Sequence, residues 1–156
     1  MKLLIQENEC IEFKESLAQL DKGLKSLTAM LNRCNYGDVY FGVKDDGTIC
    51  GCQIGKQTFK DIRQKTFELI QPKIIIDVKQ KNIENKTIII IHADGVNVPY
   101  SCDGRYYIRN LASDEQVDNY LLRKMLEVGD RDLIRHRESY LQNLTFNQFI
   151  EYNKQK

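Results

Sequence analysis

The first ordered pattern along the chain is an alternation. Ile11 and Phe13 fall on one side and Glu12 and Lys14 on the other, the period of a half-buried strand starting near Cys10. From Leu17 the period changes: Leu20, Leu24, Leu27 and Leu31 recur at steps of three and four, which predicts an amphipathic helix ending near Asn35 to Gly37, with Gly23 a weak position in it. Asp38 to Val43 and Ile49 to Ile54 are strand-forming runs on either side of Asp45-Asp46-Gly47-Thr48, and together they predict a β-hairpin. Lys56 to Gln71 carries Phe59, Ile62, Thr66, Leu69 and Ile70 on one face ahead of Pro72, the mark of a second helix.

Two strands follow, Ile74 to Val78 and Thr87 to Ala93, separated by a polar stretch from Asn82 to Lys86. The unbroken Ile88 to Ile91 predicts a strand covered on both faces, at the centre of the sheet. Asn97 to Gly104 reads as a loop and Arg105 to Arg109 as a short strand. Ser113, with Asp114 and Glu115 behind it, reads as the N-cap of a helix running to about Val128. Thr145-Phe146-Asn147-Gln148 resembles a capping box that opens a last helix. The expected fold is α+β, one domain over residues 1–128 with a mixed or antiparallel sheet flanked by helices, then a helical tail over 129–156.

Composition narrows the class. With 156 residues, 42% hydrophobic and 29% charged, the chain has the mix of one soluble domain with a real core. No apolar run is long enough to span a bilayer, and the opening Met-Lys-Leu-Leu-Ile is too short for a signal sequence, so a cytoplasmic protein with no membrane partner is expected. Five cysteines without a secretory pattern predict free thiols. The net charge of +1 does not by itself point to a polyanionic partner.

Three motifs occur in order: Glu7-x-x-x-x-Glu12-Phe13-Lys14, then Gly42-Val43-Lys44-Asp45-Asp46-Gly47-x-x-x-Gly51, then Gly104-Arg105-Tyr106-Tyr107-Ile108-Arg109. This ordered set resembles the Schlafen AlbA-like domain family over roughly residues 5 to 127. Of the family's Asn-Thr-x-Gly-Gly turn, the chain keeps only the last glycine, Gly37. The resemblance implies a domain that binds DNA or RNA. In the animal Schlafens two such lobes form a basic cradle, so a homodimer is expected to complete a groove. A Glu, a second Glu five positions on and a distant Asp are needed there to cut transfer and ribosomal RNA, and those positions fall here on Glu7, Glu12 and Asp45.

Read from the residues alone, three carboxylates can offer hard oxygen ligands to Mg²⁺ or Mn²⁺ for phosphodiester cleavage. The same residues serve equally as solvated acids or, for Asp45 and Asp46, as turn formers. Lys14, Arg105 and Arg109 are the cations best suited to phosphates and Tyr106 or Tyr107 to stacking on bases; salt bridges and core packing are the alternatives. Gly51-x-x-x-Gly55-Lys56 is one residue short of a phosphate loop and has Gln57 where a hydroxyl is required. The cysteines lack zinc-site spacing, and His92 and His136 lack nucleophile partners. The leading expectation is a metal-dependent endoribonuclease acting on structured RNA such as tRNA, the alternative a non-catalytic nucleic-acid-binding module, and a third class a protein-interaction domain that neither binds nor cuts nucleic acid.

Overall fold

The computed structural model describes residues 1–127. Its first sheet takes the order β1-β2-β5-β4, built from β1 (Ile11–Lys14), β2 (Tyr36–Phe41), β4 (Ile76–Ile83) and β5 (Lys86–Asp94). β1 runs parallel to β2 and the other pairs are antiparallel, so the sheet is mixed. A parallel pair needs a crossover, and the leucine-striped helix α1 (Leu20–Cys34) supplies it, entered through a short 3₁₀ turn at Leu17–Gln19. The second sheet, β3-β6-β7-β8, holds β3 (Ile70–Gln71), β6 (Ser101–Cys102), β7 (Arg105–Asn110) and β8 (Ser113–Gln116). Helix α2 (Thr58–Leu69) runs directly into β3.

Register assigns the faces. Glu12, Val39, Ile91 and Val78 lie side by side on the face toward α1, and Phe13, Tyr40, Ile90 and Lys79 on the other. Leu24, Leu27 and Leu31 pack fully buried against Val39, Phe41, Ile89 and Ile91. Gly23 is no weakness in this setting, because a Cβ there would meet the Phe41 ring at 2.5 Å; the bare backbone lets the helix approach the sheet. On the opposite face Phe13, Val43, Ile49 and Ile88 form a smaller cluster, with Leu3 packed against it. The isoleucine run in β5 is interior, as its unbroken character predicts.

α1 lies between the two sheets, and buried Asn32 ties it to the second. Its Nδ2 donates to the carbonyls of Tyr100 at 2.8 Å and Tyr107 at 2.7 Å, while Tyr100 N–H donates to its Oδ1 at 2.7 Å. The helix ends where Asn35 adopts φ 64°, a left-handed C-cap that Asn tolerates, and Asn35 O accepts from Gly95 N–H at 2.7 Å.

Four expectations need correction. The hairpin after β2 is reduced to one bridge, Val43 with Ile49, because Gly51 at φ 84° turns the chain away and Cys52 N–H donates to Thr87 O at 2.7 Å. β4 and β5 extend to a tight Glu84-Asn85 turn, both residues at positive φ, in place of the polar loop. Ser113 caps no helix: Ser113–Gln116 is β8, paired with β7, and the helix described over 119–127 is capped by Asp118, whose Oδ1 accepts from Leu121 N–H at 2.7 Å. Cys10 and Cys34 are bonded as a disulfide, since the parallel crossover sets the residue before β1 beside the end of α1; Cys50, Cys52 and Cys102 are free. The expected capping box at Thr145 to Gln148 and the tail lie outside the described residues. Among the described residues no helix is long and apolar enough to cross a membrane.

Candidate functional site

Glu12 is the fixed point of the site. It faces α1 from β1, an edge strand that β7 approaches from the second sheet, and it is 7% exposed. Its Oε2 accepts from Arg109 Nη2 and its Oε1 from Lys14 Nζ. Arg109, expected to meet phosphate, is itself 2% exposed. Its Nη1 donates to Asp114 Oδ1 at 2.6 Å, and Nε and Nη2 each lie 3.4 Å from Asn8 O. Asp114 is its register partner across β7 and β8, and Asp114 Oδ2 accepts from Ser26 Oγ at 2.6 Å. Burial alone would push the guanidinium toward its neutral form, but Asp114 and Glu12 outweigh this and hold it charged. The result is a buried chain Lys14–Glu12–Arg109–Asp114–Ser26 that joins β1, β7, β8 and α1.

The other two acids stand nearby in different states. Glu7 is partly buried, and its Oε1 accepts from Phe13 N–H at 2.8 Å. Its carboxyl titrates above the ordinary range, first because of burial and then because of the charges of Glu12 and Asp45, opposed by the Phe13 bond and Lys14. Asp45 is exposed in the turn after β2. That turn is built by its neighbour Asp46, which accepts from Thr48 N–H and Oγ1, both at 2.9 Å, and pairs with Lys2 at 2.9 Å.

The structure therefore gathers Glu7, Glu12, Asp45 and Lys14 into one electrostatic neighbourhood, with Arg109 as its internal support. Both Glu12 oxygens are taken by protein cations, and among the described residues no three metal-type ligands converge on a common point. In this arrangement the trio does not fit a metal ion.

The exposed end of β7 contrasts with this closed corner. Arg105, Tyr107 and Arg109 alternate along one face of the strand, a row about 14 Å long at the usual strand rise. Arg105 is exposed and has no ion-pair partner among the described residues. The Tyr107 ring carries Lys25 Nζ at 5.3 Å from its centroid. Sequence reasoning missed Asp114, Ser26 and the Asn8 carbonyl. The alternation of Arg109 with a polar Ser-Asp-Glu-Gln strand was the one available signal, and it was masked by the cap-like composition of that segment.

On the far face of the first sheet, His92 lies between Asp38, 2.9 Å from Nδ1, and Asp94, 3.4 Å from Nε2. Burial opposes its protonation, yet the two carboxylates raise its titration point overall.

A family model, Schlafen, AlbA_2, matches residues 7–118, which include all three motifs. The chain belongs to the Schlafen AlbA_2 family, a class of nucleic-acid-related domains. The fold is similar to that of the DIP2311 protein from Corynebacterium diphtheriae, with a TM-score of 0.57 and 21% identity over 70% of this chain and 22% of that one. The chain thus spans about a fifth of that protein. The N-terminal domain of a RecG-related protein from Nitrosomonas europaea is also similar, with a TM-score of 0.47 and 15% identity over 60% of this chain and 68% of that domain. No curated protein matches the chain.

Proposed function

We propose that this domain binds RNA or DNA, with Arg105 and Tyr107 at the exposed end of β7 meeting phosphate and base, while Lys14, like Arg109, is held by Glu12. The observation that carries this reading is the division of β7. Arg109 is consumed by internal partners, whereas Arg105 is left in solvent without a carboxylate beside a tyrosine that can stack. Arg109 contributes as a positioning residue that holds Glu12. Retardation of labelled transfer RNA and single-stranded DNA on a gel tests the reading. Binding should weaken steeply with salt, and migration unchanged at low salt for every substrate contradicts it.

A second reading, metal-dependent cutting of structured RNA at Glu7, Glu12 and Asp45, draws support from the upward shift of Glu7 by its two acidic neighbours. It requires Lys14 to leave Glu12 so that the carboxylate can meet Mg²⁺ or Mn²⁺. Incubation with a tRNA pool, with metal or chelator, is the test, alongside the triple variant Glu7→Ala, Glu12→Ala and Asp45→Ala. Discrete metal-dependent fragments that vanish in the variant support cutting, and intact RNA that is still retarded leaves the binding module. Two copies side by side would lengthen the binding surface, and a monomer by light scattering removes that extension.

A further inference from the structure

Between the start of α1 and the second sheet lies a cavity of about 240 Å³ that shares Tyr107 with the binding reading above. Buried Cys102 forms its floor with half-buried Leu69, Tyr107 lines it beside them, and Lys22 and Lys25 stand at its rim with Asp21 and Asp103. The frame is held by backbone bonds. Cys102 pairs with Ile70 across β6 and β3, Asp103 N–H donates to Leu69 O at 2.9 Å, and Tyr107 O is gripped by Asn32 at 2.7 Å. The cavity is therefore pre-formed.

Its chemistry is divided. The thiol of Cys102 is pushed up to about 11 by burial, so the floor stays neutral at physiological pH. Asp21 is neutralised in part by Lys65 at 3.3 Å. Lys22 and Lys25 have no carboxylate partner among the described residues, and Lys25 rests against the tyrosine ring. A largely apolar cavity with a tyrosine in its lining and two cations that have no carboxylate partner among the described residues matches a flat ring joined to an anionic backbone. The volume falls below the usual range for drug-sized ligands, which limits the occupant to one ring system.

We infer that this cavity admits a single unpaired nucleobase, stacked on Tyr107, with the flanking phosphates on Lys22 and Lys25. Asp103 at the mouth offers an acceptor to an exocyclic amine. The inference rests on the nucleic-acid reading and refines it: single strands and loops should be preferred to uninterrupted duplex, whose bases cannot enter the cavity.

The test uses the full chain and a 12-nucleotide single-stranded RNA carrying 2-aminopurine, read by probe fluorescence and by anisotropy of an end label. Binding should change 2-aminopurine fluorescence, and the matching duplex should bind more weakly and give no such change. Tyr107→Leu keeps apolar volume and should abolish the fluorescence change while weakening affinity about 10-fold. Lys22→Gln and Lys25→Gln, both on the helix surface, should each lower the slope of log K against log salt by roughly 0.7. Should Tyr107→Leu fail to fold by circular dichroism, the lysine variants and the duplex comparison decide. Tight wild-type binding with duplex equal to single strand, or with the fluorescence change intact in folded Tyr107→Leu, overturns the base pocket and leaves the broader reading standing. Absence of binding to any nucleic acid overturns both.

Discussion

The two ends of β7 hold the same kind of residue under opposite conditions. Arg109 is sealed between Glu12, Asp114 and the Asn8 carbonyl, and each of its three nitrogens has a protein acceptor. Arg105, four residues earlier on the same face, meets water. The difference teaches that an arginine in a family motif is not by that fact a ligand contact. A guanidinium this deeply buried serves to hold the chain together, and only the one left without partners is available to a polyanion.

The largest effect should come from breaking the sealed end. Arg109→Met leaves Glu12 and Asp114 without their shared cation, and a loss of about 3–5 kcal/mol of stability is expected in urea unfolding. A loss near zero would mean that the network is loose and that Arg109 is free to reach a ligand after all. Ser26→Ala removes one donor from the buried Asp114, and the same measurement should show a loss of roughly 1.5–3 kcal/mol.

A smaller effect concerns Glu7. Its carboxyl holds its proton more tightly in the folded chain than in the unfolded one, so the folded state is favoured below the ordinary glutamate range. That advantage is lost as pH rises through the raised folded value. Glu7→Gln keeps an acceptor for Phe13 N–H and removes the titration, so thermal melts should show the variant matching or exceeding the wild type at neutral pH, and losing less stability between pH 4 and pH 7. A variant less stable than wild type at neutral pH would show that the charge is favourable where it stands. The smallest stability effect belongs to the open end: Arg105→Ala should shift folding by no more than about 0.5 kcal/mol.

The fold was legible where one period dominates. The leucine stripe fixed α1, the isoleucine run placed β5 inside the sheet, and the alternation from Ile11 to Lys14 marked β1. It was not legible where local composition imitates a different element. Ser113-Asp114-Glu115 is a plausible helix start, but the Leu111-Ala112 turn folds it back onto β7, and pairing across that turn outweighs the cap. Contacts between distant segments leave no local trace. Cys10 with Cys34 depends on the parallel crossover, and Glu12 with Arg109 joins residues 97 positions apart. The ordered motifs located the acidic corner, but they did not say which of its charges are already satisfied. For the same reason nothing in the helical spacing of Lys22 and Lys25 shows that β6 and β7 are set against them.

The central claim is that the open end of β7 meets nucleic acid while the sealed end does not. It is tested most directly by anisotropy of a labelled single-stranded RNA titrated with wild-type and Arg105→Ala protein over a range of salt. The account predicts wild-type binding that falls linearly in log K against log salt, and an Arg105→Ala slope reduced by roughly 0.7 with the melting temperature unchanged. No binding by the wild type, or an identical affinity and slope for folded Arg105→Ala, would contradict it.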